Sequence, residues 1–167
     1  MPSTAEVTKE YFDAVGRQDL GKMAELWAED GSSRLVGLAE LRGPAGVTGW
    51  FSELFASFPD FALTIDETVI EGNRAVARWT AVATFDGTGT FEGFKPNGAK
   101  IRVEGMDILQ IEDGRIQTLI AFLNGLDLAR QIGAVPPAGS AADRAMAAAF
   151  NAKTAVFGKV RSLRESR

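Results

Sequence analysis

Few residue types in this chain can transfer protons. The sequence contains no His and no Cys, which removes Ser-His-Asp and Cys-His nucleophiles and the usual zinc ligands. Proton transfer therefore has to use Asp, Glu, Tyr or Lys. Asp107 stands between Met106 and Ile108, and strand alternation puts it on one face with Leu109 and Ile111. A carboxylate on such a face needs partners or a raised pKa, so Asp107 is either a pocket residue or a structurally paired core residue.

For several other polar and aromatic residues, the sequence leaves two alternative roles. Tyr11, the only Tyr, lies on an apolar helical face, so it is either a core residue with a satisfied hydroxyl or a hydrogen-bond donor in a pocket. Trp50 is either core or pocket wall, where it could stack on a ligand. Arg34, Arg78 and Glu104 either contact a ligand or form a buried ion cluster of purely structural origin.

Composition limits the classes of protein. With 167 residues, 46% of them hydrophobic, the chain fits one globular domain with a substantial core. The net charge of −4 and pI near 5.0 favour neither nucleic acid nor an anionic membrane as a partner. No segment has the length of a membrane span, and residues 1–14 lack the apolar segment of a signal peptide, so a cytoplasmic location is expected. Gly-rich phosphate loops and metal-spaced acidic clusters are lacking, so we expect neither cofactor nor metal.

Local signals predict an α+β fold. Ser3 and Glu6 form a capping box for a first helix, Asp19 can cap a second that ends near Asp30-Gly31, and Gly43-Pro44 opens a third. After a short strand at 33–36 and the third helix, the pattern changes to β. The predicted strands are Phe61–Glu71, Ala75–Phe85, Thr88–Phe94, Ile101–Ile111 and Ile116–Asn124. Their short connections allow antiparallel hairpins only, so three N-terminal helices should cover one face of a curved antiparallel sheet and enclose a pocket.

The last hairpin decides which side chains share a face. If Asp113-Gly114 forms a type I turn with a Gly bulge, Asp107 lies opposite Leu119. Gln110 and Asn124 then lie on the other face, with Glu104 and Arg102.

The C-terminal part of the chain differs from the rest. We predict a domain at 1–134, a Pro- and Gly-containing linker at 135–140 and a helical extension at 141–167. Residues 1–137 hold 12 basic and 20 acidic residues, whereas 138–167 hold 6 and 2. The basic helix either packs on its own or a partner subunit's sheet or recruits an acidic partner. A homodimer through the outer sheet face is expected.

The order of these motifs resembles the SnoaL-like polyketide cyclase family of the nuclear-transport-factor-2-like (ketosteroid-isomerase-like) superfold. The resemblance covers roughly residues 8 to 134 and is carried by four stretches: "YFDAVGRQDLGKMAELWAED", "FPDFALTIDETVIEGNRAVARW", "FKPNGAKIRVEGMDILQIEDGRI" and "NGLDLARQIGA". It implies a cone of bent antiparallel sheet around a small-molecule pocket. Function does not follow, because this superfold hosts isomerases, epoxide hydrolases, cyclases and inert binding modules.

Compared residue by residue, this sequence departs from the family at the positions of the catalytic acid and base. The catalytic Asp of these cyclases falls on Asn124 and their His on Gln110, and amides do not exchange protons at neutral pH. Against the similar epoxide hydrolases, Arg78 matches their Arg, while Thr80 and Asn124 stand where their carboxylates would be.

Ketosteroid isomerases, in the same superfold, give a different comparison. Arg34, in "RLVG", occupies the position of their base, whereas Tyr11 and Asp107 resemble their oxyanion pair. A Tyr hydroxyl and a protonated Asp can jointly stabilise an enolate. The resemblance therefore implies that the oxyanion half of such a site is present and the base is missing.

Three hypotheses follow. The first is a cofactor-free cyclase or isomerase of secondary metabolism that acts on a polyketide-like or carbonyl-bearing hydrophobic substrate. Its catalytic residues would be Asp107, Tyr11 and Asn124, and its substrate-binding residues Arg34, Trp50, Arg78, Glu104, Gln110 and Phe122. The second is a noncatalytic protein that holds a hydrophobic ligand. The third is an interaction module, in which the outer sheet face and the basic helix build a dimer or dock another enzyme.

Overall fold

A computed structural model describes residues 1–165, with side-chain surroundings described for residues 1–155 and Phe157. The helices are α1 (Thr4–Gly16), α2 (Leu20–Leu26), α3 (Gly43–Ser57), α4 (Gly125–Gln131) and α5 (Ala141–Glu165). The strands are β1 (Trp27–Leu35), β2 (Ala39–Arg42), β3 (Ala62–Glu71), β4 (Arg74–Phe85), β5 (Ala99–Glu112) and β6 (Arg115–Leu123). The predicted α+β class is confirmed.

The N-terminal helices begin where their capping residues predict. Ser3 Oγ accepts a hydrogen bond from the Glu6 amide at 3.3 Å, and the Glu6 carboxylate accepts one from the Ser3 amide at 2.7 Å. Asp19 caps α2 by accepting from the Lys22 amide at 2.9 Å. Pro44 lies in the first turn of α3. Each cap satisfies amides that have no partner inside the helix, so these helix starts are set locally.

The sheet is mixed, which the sequence did not indicate. Its strand order is β2-β1-β6-β5-β4-β3, and β1 pairs with β6 in parallel while every other pair is antiparallel. The predicted second helix ends at Leu26 rather than near Asp30, and residues from Trp27 onward extend instead into β1. Pairing between β1 and β6 joins segments more than 80 residues apart, so no local pattern could reveal it.

The run Thr88–Phe94 is not a strand, contrary to prediction. It lies in the loop between β4 and β5, where Phe91 and Phe94 form only an isolated bridge. Backbone hydrogen bonds hold the loop against the end of α3: the Gly87 amide donates to Ser57 O at 3.0 Å and the Thr88 amide to Ala56 O at 2.9 Å. This contact brings the Phe91 ring against Phe58.

The last hairpin has a different register from the predicted one. Asp113 and Gly114 both have positive φ (49° and 73°), which makes a two-residue turn instead of a type I turn with a Gly bulge. The irregularity falls further in, between Gln110 and Ile111. Asp107 therefore pairs with Ala121, and the prediction that it faces Leu119 is wrong.

The core lies between the helices and the inner face of the sheet. On β5, the buried residues alternate with exposed ones, so Val103, Asp107 and Leu109 face inward together. Val7, Tyr11 and Val15 of α1 cover this face from above. Within the described residues, no helix is long and apolar enough to cross a membrane.

We predict that Gly87→Ala destabilises the fold, because a methyl group there would lie 1.9 Å from the Ala56 carbonyl oxygen. The loop would have to move and lose its hydrogen bonds to α3, at a cost of about 2–3 kcal/mol in the free energy of unfolding. Gly49→Ala, in the exposed part of α3 with no atom within 4 Å, should instead stabilise by about 0.5–1 kcal/mol. Urea unfolding measures the free energy of unfolding of both variants. Equal values for Gly87→Ala and Gly49→Ala would contradict the predicted clash at position 87.

Candidate active site

A cavity lies between α1, α3 and the inner face of the sheet. The empty space among its lining side chains is about 770 Å³, including the part that opens to solvent. Most of the wall is apolar. Its aromatic residues are Tyr11, Phe12, Trp50, Phe51, Phe58, Phe61, Trp79 and Phe91. Such a wall suits a hydrophobic ligand.

Small side chains of β4 and β6 form part of the cavity wall. On β4, Ala75, Ala77, Ala81 and Ala83 occupy buried inward positions together with Trp79 and Phe85, and of these Ala81 and Trp79 line the cavity. On the same inner face, Gly105 of β5 pairs with Trp79, and Ala121 of β6 pairs with Asp107. Ala81 and Ala121 leave space beside Trp79 and Asp107, whereas the Trp79 ring occupies the space beside Gly105.

Asp107 lies at the polar end of this cavity. Its side chain is 6% exposed, and its Oδ1 accepts a hydrogen bond from the Trp79 indole at 2.9 Å. Trp79 pairs with Gly105 across the strands, so its ring reaches Asp107 diagonally. A methyl group at Gly105 would lie 2.3 Å from the Trp79 ring. Gly105 therefore allows the indole to lie where it meets the carboxyl group.

Burial raises the pKa values of Asp107 and Tyr11. Desolvation raises the pKa of Asp107 to about 7, against the opposing effect of the Trp79 hydrogen bond. Near neutral pH, both protonation states of Asp107 are therefore populated. Burial and the nearby Asp107 charge raise the pKa of Tyr11 well above its usual value, so Tyr11 stays a hydrogen-bond donor.

Three polar groups of the cavity wall remain available to a ligand. Among the described residues, the Tyr11 hydroxyl, the Ser33 hydroxyl and Oδ2 of Asp107 make no hydrogen bond, and all three residues line the cavity. None of these three atoms is fully enclosed, so each can be reached from the cavity. A ligand that enters the cavity thus meets one carboxyl group and two hydroxyl groups in otherwise apolar surroundings.

The structure brings only part of the predicted site to the cavity. Asp107, Tyr11 and Trp50 line it. Asn124 instead caps α4, where its Oδ1 accepts from the Asp127 amide at 3.1 Å, and its side chain is exposed. The remaining predicted residues do not line the cavity: Arg34, Arg78, Glu104, Gln110 and Phe122.

Strand alternation explains this separation. Residues 104, 106 and 110 of β5 face away from Asp107, and Phe122 pairs with Met106 on the same outer face. Gln110 donates to Glu112 at 2.8 Å. Arg78 pairs at the surface with Asp66 at 3.2 Å and Glu67 at 3.7 Å, so the buried ion cluster with Arg34 and Glu104 does not form.

Sequence reasoning missed Trp79, Gly105 and Ser33. A signal existed for the first two, because Trp79 is the one large residue in an alternating series of alanines, and Gly105 interrupts an apolar strand two residues before Asp107. Ser33 could not be found, because it reaches the cavity through the parallel pairing of β1 with β6.

The fold and cavity define a cone-shaped nuclear-transport-factor-2-like protein with a small-molecule pocket. The sequence profile of the SnoaL-like polyketide cyclase family matches residues 5–132, and the chain belongs to this family. No curated protein matches.

Solved structures share the fold at low sequence identity. A proposed SnoaL-like polyketide cyclase from Jannaschia sp. CCS1 is 23% identical, with a TM-score of 0.72 over 80% of this chain and 93% of the other. AclR, a proposed hydroxylase from Streptomyces galilaeus, is 23% identical, with a TM-score of 0.69 over 80% and 97%. An LEH-like epoxide hydrolase from M. tuberculosis is 12% identical, with a TM-score of 0.62 over 77% and 88%. At these identities the likeness shows the fold alone.

We predict that Asp107 makes stability fall as pH rises. Its pKa is about 7 in the fold against an ordinary value of 3.8, so between these values the unfolded chain is ionised while the fold holds a proton. The contribution is intact below about pH 4 and is lost by up to about 4 kcal/mol above pH 7. Asp107→Asn should remove it in urea unfolding at pH 4 to 8. Asp113→Asn, in the exposed turn, serves as control, and an unchanged profile for Asp107→Asn would contradict the prediction.

We also predict that Trp79→Phe raises the pKa of Asp107 above about 7, because the indole N–H that favours the ionised carboxyl is lost while the ring remains. Carbon-13 NMR titration of the labelled Asp carboxyl groups measures this directly. Trp50→Phe is the matched control, since Trp50 lines the same cavity without a hydrogen bond among the described residues. The same shift of the Asp107 pKa in both variants would indicate a general loss of packing around the cavity instead.

Proposed function

We propose that this protein is a cofactor-free enzyme that cyclises or isomerises a polyketide-like or other carbonyl-bearing hydrophobic substrate. One observation carries the proposal: a buried carboxyl group with a pKa of about 7 and a protonated phenol share an otherwise apolar cavity. Family membership supports the same class of chemistry.

In the proposed reaction, a substrate carbonyl oxygen lies against the Tyr11 hydroxyl, and the carbon next to the carbonyl lies against Asp107. Ionised Asp107 removes a proton from the carbon next to the carbonyl, and the Tyr11 hydroxyl donates a hydrogen bond to the oxygen on which negative charge develops. The enolate then attacks a second carbonyl of the same substrate, or its double bond shifts. Protonated Asp107 returns its proton to the new alkoxide or carbon, so the balance needs no oxidant or reductant.

The surroundings favour this use of Asp107. Around the carboxyl group the walls are apolar, so the developing charge interacts strongly with the few donors present. A pKa of about 7 gives a substantial population of both the accepting and the donating form at neutral pH. None of the residues that line the cavity is Lys or Arg, so an uncharged substrate fits better than an anionic one.

We predict that the protein accelerates exchange of the α-protons of 1-tetralone, a bicyclic aromatic ketone, with deuterium oxide. The rate should rise with pH through about 7 as Asp107 ionises. Asp107→Asn should lower it by about 100-fold or more, and Tyr11→Phe by about 10-fold to 100-fold. Proton NMR follows the exchange. Arg78→Gln, on the outer face, is the control and should keep the full rate.

A noncatalytic ligand-binding protein is the second candidate. One observation favours it: among the described residues, Asp107 and Tyr11 are the only ionisable side chains in the cavity wall, so a second carboxyl group that could act as a separate acid is lacking there. In that case 1-tetralone would bind, measured by quenching of tryptophan fluorescence, while its exchange stayed at the buffer rate. This result would reject the enzymatic proposal and retain the pocket.

A further inference from the structure

Ser33 differs from the other buried Ser and Thr residues of this protein. Among the described residues, these buried residues are Thr8, Ser33, Ser57 and Thr80. The two threonine hydroxyls donate to oxygen acceptors at 2.7 Å and 2.9 Å. The Ser57 hydroxyl has no partner, but it is fully enclosed and no ligand can reach it. Ser33 is 5% exposed and lines the cavity, and its hydroxyl makes no hydrogen bond within the described part of the chain.

The pairing of β1 in the sheet does not use the Ser33 hydroxyl. The backbone of Ser33 pairs with Leu41 of β2 on one side and with Leu119 of β6 on the other. Leu35, the next inward residue of β1, is apolar, as is Leu119. A buried hydroxyl without a partner loses its hydrogen bonds to water and gains none in the protein, which is unfavourable. A ligand oxygen beside Ser33 would remove this cost.

Ser33 and Asp107 lie on opposite sides of β6. Ser33 pairs with Leu119, and Asp107 pairs with Ala121, two residues further along the same strand. Two strand intervals of about 4.8 Å and a two-residue step of about 6.6 Å place the side chains of Ser33 and Asp107 about 12 Å apart. Leu119 and Ala121, between them, also line the cavity. The cavity wall therefore has two polar ends with an apolar surface between them.

The group that fits the Ser33 end is a neutral oxygen. A serine hydroxyl both donates and accepts hydrogen bonds, so it can bind a carbonyl, a hydroxyl or an ether oxygen. Among the described residues, no Lys or Arg lines the cavity. A carboxylate or phosphate beside Ser33 would therefore be buried without a compensating positive charge, which is unfavourable.

We propose that Ser33 determines substrate specificity by a hydrogen bond to a second neutral oxygen of the substrate, at the end remote from the reacting ketone. Contacts of about 3 Å at each end of the 12 Å span leave roughly 6 Å between this oxygen and the carbon that Asp107 deprotonates. The substrate class is an aromatic ketone with a hydroxyl or carbonyl group on the ring far from the reacting ketone. The inference rests on the proposed function, because it describes the other end of the same substrate.

Calorimetric titration of the full chain with two matched ketones tests the contact. 6-Hydroxy-1-tetralone differs from 1-tetralone only by a hydroxyl on the ring remote from the ketone. The protein should bind the hydroxylated ketone about 3-fold to 10-fold more tightly, as expected for one hydrogen bond. Ser33→Ala should abolish this ratio, so that both ketones bind the variant with equal affinity. Ser32→Ala, the same substitution on the opposite face of β1, is the control and should keep the ratio.

The outcomes separate the role of Ser33 from the proposed reaction. Equal affinities of the unchanged protein for the two ketones, or a ratio that Ser33→Ala retains, would overturn the role of Ser33 whether or not α-proton exchange is accelerated. A ratio that Ser33→Ala abolishes, together with exchange at the buffer rate, would support the contact and reject the enzymatic proposal. Ser33→Ala removes a hydroxyl without a partner, so urea unfolding should show no loss of stability, and a large loss would indicate a structural role instead.

Discussion

The hydrogen bond from the Trp79 indole to Asp107 connects the fold of this protein to its candidate chemistry. A carboxyl group with so little solvent contact would be costly to ionise, and one neutral donor at 2.9 Å offsets only part of that cost. The balance leaves the pKa of Asp107 near neutrality instead of at either extreme. A charged partner such as Arg would hold the group ionised, and no partner at all would hold it protonated.

That hydrogen bond requires a small residue next to the Trp79 ring. Gly105 leaves room for the indole, and Ala81 next to it on β4 lines the cavity. Larger side chains at these positions would bury more apolar area and stabilise the core. The chain instead keeps a cavity beside a buried acid, which is the arrangement expected where a ligand completes the packing.

Sequence patterns identified the features that are determined locally. The capping box at Ser3, the cap at Asp19 and the inward face of Asp107 each follow from neighbours within a few residues. Features set by distant pairing were missed: β1 alongside β6, the loop around Phe91 and the register opposite Asp107. A shift of two residues in the last hairpin changes the partner of Asp107 from Leu119 to Ala121, and turn residues alone do not reveal such a shift.

Asn124 shows how the resemblance and the geometry fit together. The sequence comparison puts it at the position of the family's catalytic Asp, but here its side chain satisfies the first turn of α4 at the surface. An amide serves as a helix cap as well as a carboxylate does, so the position can keep its structural role without any titrating group. With Gln110 also on the outer side, Asp107 is the one carboxyl group among the described residues that line this cavity, and Trp79 and Gly105 determine its surroundings.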